Sequence, residues 1–345
     1  MMRLPPFTYL APVSVADAAK LMAEHGPTAM LVAGGTDLYP NMKRRQFEPT
    51  VLVGLRAVRD LAGVEGSARR GLAIGSGTTL TAVSRHPEVA RHYGALATAA
   101  GLVSTPQLRN MGTLGGNVCV DTRCNYYNQS HQWRKAVDFC MKKDGDICLV
   151  APSSPRCWAV SSSDTAPVLW SLGASIRLVG PTEEREIPMS ALYRDDGIQY
   201  LAKRPDEIVM EILVPPADGL RSAYLKLRRR GSFDFPVLGV AVAIRMDGDV
   251  ARSGRIVLGA VASLPREATE AGDMLAGQRL TEDLIDRVAD RAARPSRPLD
   301  NTDLTHPYRK KMTRVFVARA LRRIAGLPER ATGFGAEATG QELSA

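Results

Sequence analysis

The apolar and polar positions of the chain open on a helix. Ser14 precedes an apolar stripe over residues 15–24 with Asp17 in its first turn, and the pair Gly26-Pro27 ends it. Residues 29–33 form an apolar run of strand length that enters Gly34-Gly35-Thr36-Asp37, a glycine-rich turn. The same succession recurs further on. Residues 72–77 predict a strand, Thr79 a cap for the helix behind it, 89–100 an alanine-rich helix, and 112–117 a second glycine turn. Residues 167–179 predict an apolar helix, a turn and a strand, and 208–214 a strand that Pro215-Pro216 stops. Two strand patterns, 237–244 and 255–262, flank Asp247-Gly248-Asp249 and predict an antiparallel hairpin, with helices over 281–293 and 308–325 to cover one face of its sheet. Between 117 and 163 the periodicity fails. A structureless stretch of that length is uncommon in a compact domain unless something ties it together, and it contains every cysteine of the chain.

Length and composition narrow the picture. A chain of 345 residues fits two or three domains, each with enough apolar content for its own core. The longest apolar run, 237–244, is far short of the roughly 20 residues that span a bilayer, so no membrane helix is expected. Residues 1–12 lack the basic start, apolar stretch and small-residue cleavage site of a secretory signal, which predicts a cytoplasmic protein. That compartment is reducing, so an odd number of cysteines, most of them crowded together, reads as metal ligands rather than disulfides. The net charge of +9 would suit an acidic partner or a polyphosphate. Its basic residues are spread out, with only Lys43 to Arg45 and Arg228 to Arg230 as short runs, so a solvated face is expected and nucleic acid is not.

The glycine turns suggest a dinucleotide. Two phosphates need backbone N–H groups around them, and glycine lets the chain come close and take the positive φ of such a cradle. Leu31-Val32-Ala33-Gly34-Gly35-Thr36-Asp37 and Thr113-Leu114-Gly115-Gly116-Asn117 are two candidates; neither is G-x-G-x-x-G, so a Rossmann domain is not indicated. Each alone is only a turn. Joined by Arg109-Asn110-Met111-Gly112, Ser163-Asp164-Thr165-Ala166-Pro167, Tyr224-Leu225-Lys226, Leu258-Gly259-Ala260-Val261-Ala262 and Tyr308-Arg309, they make nearly the whole chain resemble the FAD subunit of molybdenum hydroxylases.

The resemblance implies an α+β fold. A two-lobed FAD-binding domain of the PCMH type would cover residues 1–217, with lobes over 1–55 and 56–217. A smaller α+β domain of the CO dehydrogenase flavoprotein type would follow over 218–328, then a mobile tail over 329–345. It also implies that Leu31, Val32, Ala33, Gly34, Gly35, Thr36, Asp37 and Leu38, with Thr113, Leu114, Gly115, Gly116 and Asn117, hold the pyrophosphate and nearby flavin atoms. Val103 would line the pocket, Asp164 accept hydrogen bonds from the adenosine ribose, Ile208 or Val209 pack near the isoalloxazine, and Lys226 sit beside its polar edge. Without the resemblance, Asp164 reads equally as a helix cap, Lys226 as a snorkelling strand residue and Val103 as plain core.

In ordinary members of that family the Ser-Asp pair follows closely on Gly-Gly-Asn. Here 45 residues separate Asn117 from Ser163, and an insertion over 118–162 holds Cys124, Cys140, Cys148 and Cys157, spaced by 15, 7 and 8 residues. Four thiolates suit zinc or an iron-sulfur cube, and these gaps match neither a paired-knuckle zinc site nor the compact ferredoxin run. The insertion is similar to that of the corresponding subunit of 4-hydroxybenzoyl-CoA reductase. That similarity implies a [4Fe-4S] cluster on the four cysteines, with Cys119 left as a buried thiol. It further implies a heterotrimer, itself dimerised, with a large molybdenum-cofactor subunit and a small [2Fe-2S] subunit, electrons entering from ferredoxin and passing by way of the cluster and FAD. Two alternatives stay open: a conventional hydroxylase subunit that passes electrons out to NAD or a quinone, and a zinc-stapled scaffold.

Overall fold

The computed structural model describes residues 3–328, so the tail expected over 329–345 lies outside the described residues. The first lobe is a parallel sheet of β1 (Thr8–Leu10), β2 (Ala29–Val32) and β3 (Val51–Gly54), with β3 in the middle. The helix Val15–His25 lies on it as the pattern predicts. Ser14 Oγ accepts from the Asp17 N–H at 3.1 Å, and Val15, Ala18, Ala19 and Met22 are buried with Val51 and Val53. In register with Val53 and Gly54, Leu31 and Val32 bring the chain to the sheet edge where the first glycine turn begins.

The second lobe is an antiparallel sheet of β4 (Val64–Ser67), β5 (Gly71–Gly75), β6 (Ser175–Val179), β7 (Glu184–Pro188) and β8 (Ile208–Val214), in the order β4-β5-β8-β6-β7. Helices Leu80–Arg85, Gly94–Leu102 and Thr165–Leu172 bury Leu80, Leu96 and Leu169 against Ile74, Ile176 and Ile212. The single helix expected over 89–100 is two, Pro87–His92 and Gly94–Leu102. The break falls at Tyr93, whose ring is buried and whose hydroxyl donates to the Pro215 carbonyl at 2.8 Å, and an uninterrupted helix would not leave it in that place.

The chain then enters a third sheet: β9 (Leu220–Leu227), β10 (Leu238–Asp247), β11 (Val250–Gly259), β12 (Arg266–Glu267) and β13 (Gln278–Arg279), all antiparallel. The predicted hairpin turns at Gly248, with φ +58°. β10 reads as a continuous apolar run because it is covered on both faces. Ala241 and Ala243 join the second lobe's core, while Val240, Val242 and Ile244 meet the helices Glu282–Ala292 and His306–Ala325. Fully burying each of those larger side chains contributes about 1.5–3 kcal/mol, which binds this sheet to what lies on both sides of it. Among the described residues no helix is long and apolar enough to cross a membrane.

Candidate functional site

β2 ends at Val32, and the chain turns through Gly34 and Gly35 into the helix Leu38–Lys43. Both glycines are required by geometry. A Cβ on Gly34 would lie 2.0 Å from the Met111 carbonyl oxygen, and Gly35 has φ +68° with the Tyr39 ring where its Cβ would go. The two glycine segments are therefore stacked backbone on backbone, Met111-Gly112 against Gly34.

The second segment is not a turn but the start of a short helix, Leu114–Val118, capped by Thr113, whose Oγ1 accepts from the Gly116 N–H at 3.1 Å. Its other N–H groups are also used within the protein. Leu114 donates to the Thr78 carbonyl at 2.9 Å, Gly115 to that of Ser76 at 2.8 Å and Asn117 to that of Thr113 at 2.9 Å. By contrast, no backbone bond is donated by the N–H groups of Gly34, Gly35, Thr36 and Asp37 among the described residues. A run of free N–H groups at a glycine turn is a nest for an anion, so phosphate-binding capacity lies in the first segment. Asn117 explains why the second segment travels with Ser163-Asp164-Thr165: its Oδ1 accepts from Ser163 Oγ at 2.9 Å, Thr165 Oγ1 at 2.7 Å and Thr165 N at 3.2 Å.

Between the two segments lies a cleft of about 290 Å³. Of the residues singled out from the sequence, it brings together Leu31, Val32, Ala33, Gly34, Gly35, Thr36, Asp37, Leu38, Val103, Thr113, Gly115, Gly116, Asn117, Ile208 and Val209. Three others are not on its wall. Leu114 is sunk in the second lobe's core. Asp164 and Lys226 form a buried ion pair at 2.8 Å, with Asp164 Oδ1 accepting from the Tyr224 hydroxyl at 2.8 Å and Lys226 Nζ also donating to the Leu102 carbonyl at 3.1 Å. Asp164 stands at the N-cap of Thr165–Leu172 yet makes no capping bond. Burial pushes its carboxyl up, against the pull of Lys226 and Tyr224, and burial likewise pushes the Lys226 ammonium down, against Asp164. The pair props Leu102, the residue before cleft-lining Val103. The cleft also recruits Ser76, Ser104, Leu108, Asp121, Tyr200 and Lys203, none of which carries a sequence signal, together with Phe235. Cys119, expected to be buried, is only partly so and lines the same cleft, its thiol pushed up by desolvation.

The cysteine-rich segment holds one short helix, His131–Ala136, and is otherwise irregular. Side chains fasten it instead. Gln46 donates to the Tyr127 carbonyl at 2.6 Å, buried Arg134 to that of Arg44 at 3.0 Å, and the Asn125 N–H to that of Asn301 at 2.9 Å. Cys124, Cys140, Cys148 and Cys157 are all buried and line one small cavity, together with Tyr126, Tyr127, Met141, Lys142, Leu149, Val150 and Ala159. Burial first, with the neighbouring cysteines adding to it, pushes the Cys124 thiol up to about 11 and that of Cys157 up to about 12. Soft thiols in an apolar pocket suit a metal whose own charge would reverse that bias. Among the described residues no three His, Cys, Asp or Glu side chains are placed together as the ligands of a metal ion. Four thiols lining one small cavity are a donor set that either an iron-sulfur cube or a lone zinc can use.

The two cavities share a wall. Asp121 lines the cleft, Lys142 lines the cysteine cavity, and Lys142 Nζ meets Asp121 Oδ1 at 2.8 Å, both side chains buried. Arg123, next to Cys124, pairs with Asp37 of the first glycine turn and lies over the Phe235 ring at 4.5 Å.

Comparison with known proteins agrees with this layout. Residues 5–217 match the FAD binding domain in molybdopterin dehydrogenase, and residues 222–324 the CO dehydrogenase flavoprotein C-terminal domain. The chain is 30% identical over 318 residues to the carbon monoxide dehydrogenase medium chain of Afipia carboxidovorans, covering 92% of this chain and 96% of that one. It is 33% identical over 268 residues to the aldehyde oxidoreductase FAD-binding subunit PaoB of Escherichia coli, 75% of this chain and 82% of that one. The crystal structure of the cyanide-inactivated Cu,Mo-CO dehydrogenase superimposes with a TM-score of 0.78 at 28% identity, over 94% of this chain and 99% of the other.

Proposed function

The chain belongs to the FAD-binding medium subunits of the molybdenum hydroxylase family, and from that premise we propose that it carries a [4Fe-4S] cluster on Cys124, Cys140, Cys148 and Cys157 and passes electrons inward through its FAD to a reducing molybdenum site. As a medium subunit it works in a complex with a large and a small subunit. The observation that carries the proposal is the shared wall: four buried thiols line one cavity, joined to the flavin cleft through the Lys142–Asp121 and Arg123–Asp37 ion pairs. FAD exchanges electrons singly or in pairs and the cluster one at a time, so together they would match a one-electron donor to a two-electron reaction.

This chain's own residues supply binding and insulation. Gly34, Gly35, Thr36 and Asp37 offer N–H groups to the pyrophosphate, Ile208 and Val209 supply apolar surface to the cleft, and Arg123 fixes Asp37 relative to Cys124. The donor is a ferredoxin, and the chemistry on the large subunit is that of 4-hydroxybenzoyl-CoA reductase, removal of a phenolic hydroxyl to leave benzoyl-CoA. What supports this finer assignment is the cysteine-rich segment beside a flavin cleft, where a second one-electron group would serve inward flow from a low-potential carrier. The names of the relatives favour a second reading, an oxidising subunit that sends electrons outward.

The complex, purified without oxygen, is compared with its Cys140→Ser variant for iron, sulfide, zinc, FAD and the paramagnetic spectrum after reduction. The expected result is about four more irons per chain in the parent, a cluster signal absent from the variant, and FAD in both. Equal iron contents, or zinc in stoichiometric amount, would overturn the cluster. Reduced ferredoxin with 4-hydroxybenzoyl-CoA then tests direction and substrate. No benzoyl-CoA from a complex with all its cofactors would leave the outward reading in place.

A further inference from the structure

Among the described residues Lys142 is the only charged one on the wall of the cysteine cavity, where the rest are thiols and apolar or aromatic side chains. Its ammonium is buried and fully engaged, donating to Asp121 Oδ1 at 2.8 Å, Thr122 Oγ1 at 2.8 Å and the Gly197 carbonyl at 2.6 Å. Gly197 in turn lies against a thiol. Its N–H donates to the Cys157 carbonyl at 2.9 Å, and a Cβ on it would come 2.7 Å from Cys157 Sγ, so Gly197 touches both the ammonium and that sulfur. Burial raises the Cys157 thiol, and the Lys142 charge pulls against it. The ammonium also lies 4.8 Å from the centre of the Tyr127 ring on the cysteine side and 5.7 Å from that of Tyr200 on the cleft side.

The ion pair therefore has a direction, its cation toward the thiols and its anion toward the flavin cleft. A buried pair is seldom more stabilising than apolar side chains of similar volume, so stability alone does not account for charges in this wall. Four thiolates leave a bound metal group net negative, and each electron it takes up deepens that charge. A cation fixed beside it in a dry wall favours the reduced form, because little solvent screens the attraction.

We propose that Lys142 compensates the negative charge of the cluster on Cys124, Cys140, Cys148 and Cys157 and raises its reduction potential, while Asp121 holds the ammonium in place. The proposal rests on the cluster reading above. One electron from the donor reduces the cluster and leaves the donor oxidised; the same electron then reduces the flavin as the cluster is reoxidised, and Lys142 keeps its proton throughout. A cluster made easier to reduce serves a chain of carriers that electrons enter at the cluster.

The test uses the whole complex, purified without oxygen, as parent, Lys142→Met and Asp121→Asn. Iron, FAD and the cluster midpoint potential, read from the paramagnetic signal in a redox titration, are measured on each. Lys142→Met keeps the length of the side chain and removes its charge, so it should lower the potential by about 59 mV or more, tenfold in a one-electron equilibrium, with iron and FAD retained. Asp121→Asn keeps the shape, takes the counter-charge from the ammonium and should raise the potential; it remains informative should the methionine variant not fold. Opposite shifts are the mark of charge, since a wall loosened by either change would move the potential one way. Shifts of the same sign, or potentials equal to the parent's in both variants, overturn the proposal and leave the cluster in place. Loss of iron from both variants also overturns it, by showing that the pair only braces the wall. A parent complex without cluster iron overturns the cluster reading, and this proposal with it.

Discussion

Asp164 and Lys226 face each other as a buried ion pair. The raised Asp164 pKa gives a stabilising contribution that is full below the ordinary carboxylate range and is lost as pH rises through the folded value. Lys226, whose pKa is lowered, contributes stability above the ordinary lysine range and loses it as pH falls through its folded value. Against both burial effects the pair is held by its mutual attraction and by the Tyr224 and Leu102 hydrogen bonds. Removing one partner strands the other. Asp164→Ala should cost about 3–5 kcal/mol in denaturant unfolding, whereas Asp164→Asn combined with Lys226→Met should recover most of it, since a neutral, well-packed replacement for a buried pair is often tolerated. A double variant no more stable than Asp164→Ala would refute this. Its FAD content decides a second question. With both carboxylate oxygens occupied by Tyr224 and Lys226, Asp164 acts on the cleft through Leu102 and Val103, so the double variant should keep its flavin; if it folds and loses FAD, Asp164 touches the ribose as the family resemblance implies.

At the scale of elements, the two glycine segments have different work. Gly34 is where two backbones meet, so Gly34→Ala must push Met111 away and open the cleft. Gly116 is not so confined. A Cβ there meets only Thr113 Oγ1, at 3.1 Å. Gly116→Ala should therefore leave the melting temperature within a few degrees of the parent, while Gly34→Ala should lower both stability and FAD content. FAD retained by Gly34→Ala at parent levels would mean that the stacking of the segments does not shape the site. Much at this scale was legible from local chemistry. Ser14, Thr79 and Thr281 cap the helices they precede, Gly248 turns the hairpin, and Ile208–Val214 is a strand with the bounds its pattern gives. The helix Leu114–Val118 was hidden because Gly115-Gly116 argue for a turn, and only the contact with Ser76 shows why glycine is needed in a helix there. The break at Tyr93 was hidden for a similar reason, since its cause is a carbonyl at Pro215. Asp121, Tyr200 and Lys203 reach the cleft from irregular segments, where no periodicity marks a side chain as facing inward.

Across the whole molecule the cysteine-rich segment touches every part of the chain. Gln46, Arg44 and Arg45 tie it to the first lobe, Gly197 to the loop between β7 and β8 of the second lobe, and Ser263 and Asn301 to the C-terminal domain. Apart from its short helix the segment has little regular hydrogen bonding, and its own core is Cys124, Tyr127, Cys140, Cys157 and Ala159, with Tyr126, Met141, Leu149 and Val150 packed against them. A metal group held there adds its binding free energy to the folding of the segment, as structural metal sites do. Stripping iron from the intact complex with a chelator under oxidising conditions should therefore expose the segment while the sheets stay folded. Trypsin should then cut after exposed Lys135 and half-buried Lys143 much faster than before, and the rest of the chain should resist as in the parent. FAD should remain, held by the free N–H groups at Gly34, Gly35, Thr36 and Asp37. Limited proteolysis read by mass spectrometry, with flavin fluorescence on the same samples, separates the outcomes. Cleavage that does not change on iron removal would mean that the side-chain tethers suffice and the metal is not structural. Full release of flavin along with the iron would mean that the segment is a wall of the cleft in its own right, with Arg123 and Asp121 as the residues that transmit its collapse.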